Sequence, residues 1–167
     1  MGGCVTLGLL GGMQGGWSKP PCPNPAEQVA AVSATEVAVG LPVTTIVLDD
    51  HPFTVEVART MPEQNRGLQH RTSLAQNRGM LFEFDRPYPL RFWMKDTLIP
   101  LDILFFKNDV LIHVVENALP CKADPCPVYA TPAPADRVVE LNAGTSQRLG
   151  FSPRHTHLSY TPLSYTP

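Results

Sequence analysis

Eighteen prolines in a chain of 167 residues constrain the fold more than any other feature of the sequence. Proline lacks a backbone N–H, so inside a helix it removes a hydrogen bond and clashes with the preceding turn. It is also kept out of the centre of a sheet, because it cannot donate to the ladder. A chain this rich in proline is therefore expected to form short strands and ordered turns rather than long helices.

Between these prolines, short runs of apolar residues alternate with polar residues at a period of two. Phe53, Val55 and Val57 fall on one face of an extended chain, whereas Thr54 and Glu56 fall on the other. This alternation is typical of a half-buried strand. Six or seven short strands are expected, within residues 44–48, 53–59, 80–84, 90–94, 99–106, 110–116 and 138–142.

Two brief helices and a tight hairpin are also predicted. Thr60 and Glu63 have the spacing of a capping box, which indicates the start of a short helix. Gly150 is placed to end a second helical turn in the left-handed conformation. Asn108 and Asp109 tolerate the left-handed backbone of a tight hairpin. We therefore predict a mainly β fold, either a single small β-sandwich or a partly closed barrel, with one or two short helices.

Composition divides the chain into three zones. Residues 1–40 are rich in Gly, Pro, Ala and Val and carry almost no charge, which favours a poorly ordered export-like or linker segment. Residues 41–157 hold nearly all of the periodic signal and are expected to form a single β domain. Residues 158–167 are a repetitive C-terminal tail, Leu-Ser-Tyr-Thr-Pro twice, to which we assign no function.

The N-terminus suggests export, although its signal is atypical. Val5–Met13 is an apolar, glycine-rich run that resembles a truncated signal peptide without the usual positive charges before it. Cys4 follows two glycines, as a lipid-modified cysteine could. No stretch approaches the roughly 20 apolar residues of a membrane-spanning helix. We expect an extracytoplasmic protein, either periplasmic or held at a membrane by an anchor at its N-terminus.

The charge of the chain bears on its partners. The formal net charge is −2, so no global basic field exists to attract nucleic acid. We therefore expect no nucleic-acid partner. The expected partner is a small polar ligand or a component of the cell envelope.

Motifs between Val55 and Phe151 resemble those of a known family. The most specific block comprises Phe92-Trp-Met-Lys95, Thr97 and Ile99-Pro-Leu-Asp-Ile103. The other matching positions are Glu56-Val-Ala58, Arg66-Gly-Leu68, Arg71, Gly79-Met-Leu-Phe82, Pro120-Cys121, Cys126-Pro127, Tyr129, Glu140-Leu141 and Ala143-Gly144. In these motifs the sequence resembles the bacterial and archaeal family known as domain of unknown function 192.

The resemblance implies a compact all-β fold, often with an export signal or lipid anchor upstream, and it implies no known reaction. The chain departs from the family pattern at three places. Gln69 stands where methionine is usual, and Asp96 where asparagine is usual. Arg154-His155 stands where the family's closing turn usually carries Gly-Asp.

Polar residues within the most apolar part of the sequence form the first candidate site. Lys95, Thr97 and Asp102 flank Pro100, which indicates an edge, bulge or bend of the kind found beside functional sites. Asp102 lies between two apolar residues of a strand expected to be buried, so its carboxylate needs a partner. One interpretation places these three residues with Arg66 around one concave ligand site. The alternative is that Asp102 holds Arg66 or a loop in place.

Trp93 is the remaining candidate for ligand binding. It could be a stacking platform for a ring-shaped ligand such as a sugar or a base. The alternative is that Phe92, Trp93 and Met94 together form a layer of the core, since large aromatic residues dominate cores.

Cys121 and Cys126 are candidates for a disulfide in an oxidising compartment. Closing so short a loop contributes roughly 2 kcal/mol by the chain-entropy estimate. Metal and redox sites are the alternatives. Zinc prefers four ligands, and the usual redox motif separates its cysteines by fewer residues.

No standard catalytic signature is found in the sequence: a Gly-rich phosphate loop, His-Glu-x-x-His and Gly-x-Ser-x-Gly are all missing. Our leading hypothesis is a non-catalytic extracytoplasmic binding or accessory module with no cofactor and no metal. One rival is a hydrolase or lyase of envelope glycans that pairs Asp102 with Glu83 or Glu56. The other rival is a purely structural protein.

Overall fold

The computed structural model describes residues 40–161, within which the chain forms nine strands and two short helices. The strands are β1 (Val43–Leu48), β2 (His51–Ala58), β3 (Arg78–Tyr88), β4 (Arg91–Trp93), β5 (Leu101–Lys107), β6 (Val110–Ala118), β7 (Val128–Ala130), β8 (Ala135–Asn142) and β9 (Leu158–Tyr160). The helices are α1 (Met61–Arg66) and α2 (Thr145–Leu149). None of the helices in this range is long and apolar enough to cross a membrane.

Seven strands form one sheet in the order β6-β5-β8-β3-β2-β1-β9, and β4 pairs with β7 in a small second sheet. The two ends of the large sheet approach each other at one corner. The Leu111 amide donates to the Thr156 carbonyl (2.9 Å), and the Leu158 amide donates to the Asp109 carbonyl (2.8 Å). The sheet is therefore curled into a half-barrel, and the predicted mainly β, partly closed fold with two short helices is confirmed.

The curled sheet buries an apolar cluster on each face, as period-two alternation requires. Core A contains Ile46, Leu48, Phe53, Val55, Val57, Leu81, Leu104, Phe106, Leu111, Val139, Leu141, Phe151 and Leu158. Core B contains Ala58, Leu68, Met80, Phe82, Leu90, Met94, Leu101, Ile103, Phe105, Ala118, Ala135 and Val138. Consecutive residues of β5 and β8 therefore belong to opposite cores.

The predicted local signals are present where the elements begin and turn. The capping box before α1 is complete: the Thr60 side chain accepts from the Glu63 amide, and the Glu63 carboxylate accepts from the Thr60 amide. Asn108 and Asp109 both have positive φ in the turn between β5 and β6, as the hairpin prediction requires. Gly150 ends α2 with a φ of 76°.

Two short strands lie where the sequence predicts none. β7 lies in the proline-rich stretch 119–135, outside the seven expected strands, and β9 falls within the segment assigned to the repetitive tail. Three-residue strands leave almost no periodic pattern, and each of these exists because a distant partner, β4 or β1, offers an edge. The export-like or linker segment and residues 162–167 lie outside the described residues, apart from Gly40.

Candidate functional site

A cavity of about 300 Å³ lies on the core B side of the large sheet. Helix α1 and the residues after it form one wall, β3 and β8 form the floor, and β4 with the segment before it forms the other wall. The lining residues are Met61, Gln64, Asn65, Arg66, Gly67, Gln69, Phe82, Phe84, Tyr88, Pro89, Leu90, Arg91, Phe92, Trp93 and Glu140. Its volume is at the lower end of the range for small-molecule sites, roughly 300–1,000 Å³.

Aromatic side chains that contact one another edge to face form much of the lining. The ring centroids of Phe82 and Phe92 are 5.1 Å apart, and those of Phe84 and Tyr88 are 5.4 Å apart. Phe92 also packs edge to face against Phe105 of core B, at 5.6 Å. Such pairs are favourable beyond the area that they bury. The lining is therefore held in place by the core and is largely pre-formed.

Gly67 shapes the wall beside α1. It ends the helix with a φ of 46°, and a Cβ atom at this position would approach the Phe82 ring to 3.3 Å. Glycine permits both the positive φ and this close approach. The chain can therefore turn directly against Phe82 and bring Arg66 to the mouth of the cavity.

Glu140 contributes the only carboxyl group among the residues that line this cavity. It lies in β8 opposite Met80 of β3 and Ile103 of β5, both members of core B. Its side chain is only 5% exposed. Within residues 40–161 its carboxyl oxygens have no hydrogen-bond or ion-pair partner, and they are not among the completely buried polar atoms that lack one, so they remain accessible from the cavity. Burial without such a partner is unusual for a carboxyl group, because desolvation of its charge is costly.

Burial raises the pKa of Glu140 from its ordinary value to about 8, and desolvation is the cause. The carboxyl group is therefore mainly protonated at neutral pH. In that state it can donate one hydrogen bond into the cavity, and in the ionised state it can accept several. An unpaired titratable group with a shifted pKa in a concave site marks a functional candidate.

Two arginines contribute positive charge at the mouth of the cavity. Arg66 and Arg91 are both exposed, and neither forms an ion pair with another described residue. Trp93 lies beside them and is 52% exposed, so it is not part of the core layer to which one interpretation assigned it. Phe92 and Met94, its sequence neighbours, are the residues that pack into core B.

Among the predicted site residues, the structure brings Arg66 and Trp93 together at this cavity, but not the other three. Lys95 forms an ion pair with Asp124 on the surface, and the hydrogen bond to Asp124 raises the pKa of Lys95. Thr97 is buried, with its amide bonded to the Met94 carbonyl at 3.2 Å. The expected grouping of Lys95, Thr97 and Asp102 with Arg66 is not found around this cavity.

Asp102 lies on the core A face of β5 and is fully buried. Its carboxylate accepts hydrogen bonds from three backbone amides: those of Asn117 (2.9 Å), Gly144 (3.1 Å) and Ser146 (2.8 Å). These bonds tie the end of β6 and the first turn of α2 to the sheet. The partners of Asp102 are backbone amides at the end of β6 and at the start of α2 rather than Arg66.

The carboxylates considered for a catalytic pair are also bonded within the protein. Glu83 accepts hydrogen bonds from Arg59 and from the Tyr160 hydroxyl, and Glu56 accepts one from Arg71. A paired-carboxylate mechanism needs two such groups facing one cleft. Glu140 has no second carboxyl group beside it in the cavity.

Cys121 and Cys126 form a disulfide in the structure, the favoured interpretation of their spacing. The bridge closes the loop that carries Asp124, the ion-pair partner of Lys95. No group of three or more His, Cys, Asp or Glu residues within the described range is arranged to hold a metal ion.

These features define a class of protein: a small curled β half-barrel with an aromatic cavity and one buried, unpaired carboxyl group. The chain belongs to the family DUF192, described as an uncharacterized ACR, whose model matches residues 44–156. The family resemblance of the sequence motifs is thereby confirmed. Membership assigns neither a reaction nor a ligand.

Two crystal structures are similar to this fold. One is a candidate transcription regulator from Sinorhizobium meliloti 1021, with 35% sequence identity, a TM-score of 0.68 and coverage of 73% of this chain and 96% of that chain. The other is a protein of unknown function from Novosphingobium aromaticivorans DSM 12444, with 33% identity, the same TM-score of 0.68 and coverage of 75% and 91%. No curated protein matches the chain.

Glu140 is the residue that sequence reasoning did not select. It belongs to one of the family motifs, but the motif alone does not distinguish it from the other acidic residues of the predicted strands. A usable signal exists in its neighbours, because Glu140 stands between Val139 and Leu141 in an apolar strand, just as Asp102 stands between Leu101 and Ile103.

Proposed function

We propose that the protein is a non-catalytic extracytoplasmic binding or accessory module whose small polar ligand occupies the cavity above Glu140. One observation carries the proposal: a carboxyl group that is almost fully buried and without a partner faces a pre-formed aromatic cavity. A ligand group that bonds to Glu140 would relieve this unfavourable burial. The disulfide between Cys121 and Cys126 supports an oxidising compartment outside the cytoplasm.

The same geometry favours binding over catalysis. The rival hypothesis of a glycan hydrolase or lyase draws its acid and base from Asp102, Glu83 and Glu56. Each of these carboxylates already bonds to backbone amides, an arginine or a hydroxyl group of the protein. Glu140 is positioned to recognise a ligand, but the cavity offers it no second carboxylate as a partner in catalysis.

A role in nucleic-acid binding, which the description of the S. meliloti protein would suggest, has less support here. The net charge is −2, and the two described helices have 6 and 5 residues. Recognition helices that enter the major groove belong to longer helical motifs, and phosphate contacts depend on clustered positive charge.

The experiment is thermal unfolding of the whole chain against a panel of sugars, nucleotides, amino acids and small amines. A ligand at 100 times its dissociation constant adds about 2.7 kcal/mol to the free energy of unfolding. For a domain of this size, the midpoint then rises by roughly 10 °C. A panel that leaves the midpoint unchanged would count against the proposal.

A matched pair of variants assigns any positive result to the cavity. Trp93 and Val128 are register partners in the small sheet and are both exposed, but only Trp93 lines the cavity. Trp93→Ala should reduce the ligand-induced shift, and Val128→Ala should leave it unchanged. Equal effects of the two substitutions would place the ligand elsewhere.

A further inference from the structure

Exposure changes in a regular way from the floor of the cavity to its mouth. Glu140 and Phe82 are buried at the floor, and Leu90, also buried, follows in the wall. The exposed lining residues include Trp93 and Arg66. A ligand that enters therefore meets positive charge first, then an apolar aromatic stretch, and a single carboxyl group at the end.

We propose that the cavity binds a short molecule with a carboxylate at one end, an apolar stem, and an organic cation at the other end. The cation, an ammonium or guanidinium group, pairs with Glu140, the stem packs against Phe82 and Phe92, and the carboxylate meets Arg66 and Arg91. This inference deepens the proposed function and rests on it. The class includes basic amino acids bound through their side-chain cation and straight-chain ω-amino acids.

Three physical arguments support this class of ligand. A buried carboxylate is best compensated by a cation within hydrogen-bond reach, because a charged pair is stronger than a neutral hydrogen bond. The aromatic faces that line the cavity also attract an organic cation. Arginine guanidinium groups at the mouth match the planar carboxylate and can bond to it with two parallel hydrogen bonds.

None of the other charged groups that line the cavity forms an ion pair with Glu140 in the described part of the chain. The titratable or charged groups that line the cavity besides Glu140 are Arg66 from α1, Tyr88 from the end of β3 and Arg91 from the start of β4. The register neighbours of Glu140 on β3 and β5 are Met80 and Ile103, which are apolar. The cation of the ligand would therefore be the main positive charge beside Glu140.

Three compounds of the same length test the inference by isothermal titration calorimetry. The probe 6-aminohexanoate carries both charged ends, hexylamine lacks the carboxylate, and hexanoate lacks the cation. We expect 6-aminohexanoate to bind, and each truncated compound to bind about 10- to 100-fold more weakly, the range for a lost hydrogen bond to a charged group. Hexanoate that binds as tightly as 6-aminohexanoate would overturn the assignment of the cation to Glu140.

Variants of the residues at the floor and at the mouth of the cavity provide a second test, in which the affinities for the three compounds are compared. Glu140→Gln keeps the shape of the side chain and should weaken 6-aminohexanoate about tenfold or more, while hexanoate is little affected. Replacing Arg66 and Arg91 with Gln should weaken 6-aminohexanoate but leave hexylamine unchanged. Arg148→Gln, at an exposed arginine of α2 outside the cavity, is the matched control.

Proton release separates a structural effect of Glu140→Gln from loss of the ion pair. A cation that pairs with Glu140 at pH 7 requires the carboxyl group to ionise, so binding should release up to one proton into the buffer. Titrations in buffers of different ionisation enthalpy measure this release, which should disappear in Glu140→Gln. Binding of 6-aminohexanoate that neither releases a proton nor weakens in Glu140→Gln would overturn the inference.

The failure of this inference can be distinguished from the failure of the proposed function. If 6-aminohexanoate, lysine and arginine all fail to bind, the inference is wrong. The proposed function is then still supported if another panel compound raises the unfolding midpoint in a way that depends on Trp93 but not on Val128. It fails as well only if no compound does so.

Discussion

Two buried carboxyl groups on neighbouring strands of the same sheet have opposite environments. Asp102 on β5 faces core A and accepts hydrogen bonds from three backbone amides. Glu140 on β8 faces core B, has no bonding partner in the described chain and lines a cavity. In the sequence, both residues interrupt an apolar strand in the same way. The comparison teaches that an acidic residue in a buried strand can serve either the fold or a site, and that its partners decide which.

The first test is to remove the carboxylate of Asp102, which has hydrogen-bond partners. Asp102→Ala leaves three backbone amides without an acceptor in a buried position, so we expect the free energy of unfolding to fall by about 3–5 kcal/mol. Urea unfolding at pH 7 measures the change. Glu116→Ala, at an exposed carboxylate of β6 next to Asn117, is the control and should change stability by less than about 0.5 kcal/mol. Equal effects of the two substitutions would mean that the three hydrogen bonds do not stabilise the fold.

The second prediction concerns pH, because the pKa of Glu140 is raised to about 8 in the folded protein. The folded state holds this proton between about pH 4.5 and 8, whereas the unfolded chain has released it, so stability falls as the pH rises through this window. Relative to Glu140→Gln, the unmodified protein should lose up to about 1.4 kcal/mol per pH unit, or roughly 3 kcal/mol between pH 5 and 8.

Unfolding of both proteins in urea at a series of pH values gives this difference directly. Groups that titrate equally in the two proteins cancel in the subtraction. A difference in stability that is constant from pH 5 to 8 would show that Glu140 is not held in its protonated form.

The third prediction is a gain in stability when Glu140 is replaced, in contrast to the loss expected for Asp102→Ala. Glu140→Met removes an unpaired polar group and keeps an unbranched apolar side chain of similar size, so we expect stability at pH 7 to rise by about 1–3 kcal/mol. Urea unfolding measures this gain, and ligand binding measured beside it should be lost. A loss of stability would mean that the Glu140 carboxyl group has a partner that stabilises the fold.

The smallest change in stability is expected at Ser146, beside the hydrogen-bonded Asp102. The Ser146 amide donates to Asp102, but the Ser146 hydroxyl is buried without a partner. Ser146→Ala keeps the amide, removes the unpaired hydroxyl and favours the helix, so stability should rise by about 0.5–1 kcal/mol. Ser159→Ala, at an exposed serine of β9, should have no comparable effect in the same unfolding assay. A destabilised Ser146→Ala protein would indicate a hydrogen bond from this hydroxyl.

The candidate site could be predicted from the sequence only in part. The aromatic motif predicted Trp93 as a site residue, and Arg66 was predicted as a partner of Asp102. Both residues line the cavity. The reason for including Arg66 does not match the structure, since the bonding partners of Asp102 are amides from residues 117, 144 and 146. Lys95 pairs with Asp124, which lies in the loop closed by the disulfide between Cys121 and Cys126.

Elements whose signals are local could be predicted from the sequence alone. Alternation at a period of two marked the long strands, the Thr60 and Glu63 pair marked the start of α1, and Asn108 with Asp109 marked the hairpin. These signals depend on neighbours within a few residues, so no tertiary information is needed to interpret them. The family motifs likewise are carried by the linear order of residues.

Tertiary contacts determine which buried acidic residue stabilises the fold and which one faces a cavity. The amides that satisfy Asp102 come from positions 15 to 44 residues away in the chain, and the cavity around Glu140 is built by residues of α1, β3 and β4. A carboxyl group's environment is the sum of contacts that folding brings from distant segments. The same local pattern of apolar, acidic and apolar residues is therefore compatible with a structural carboxylate and with one that faces a cavity. The neighbouring residues in the sequence do not distinguish the two.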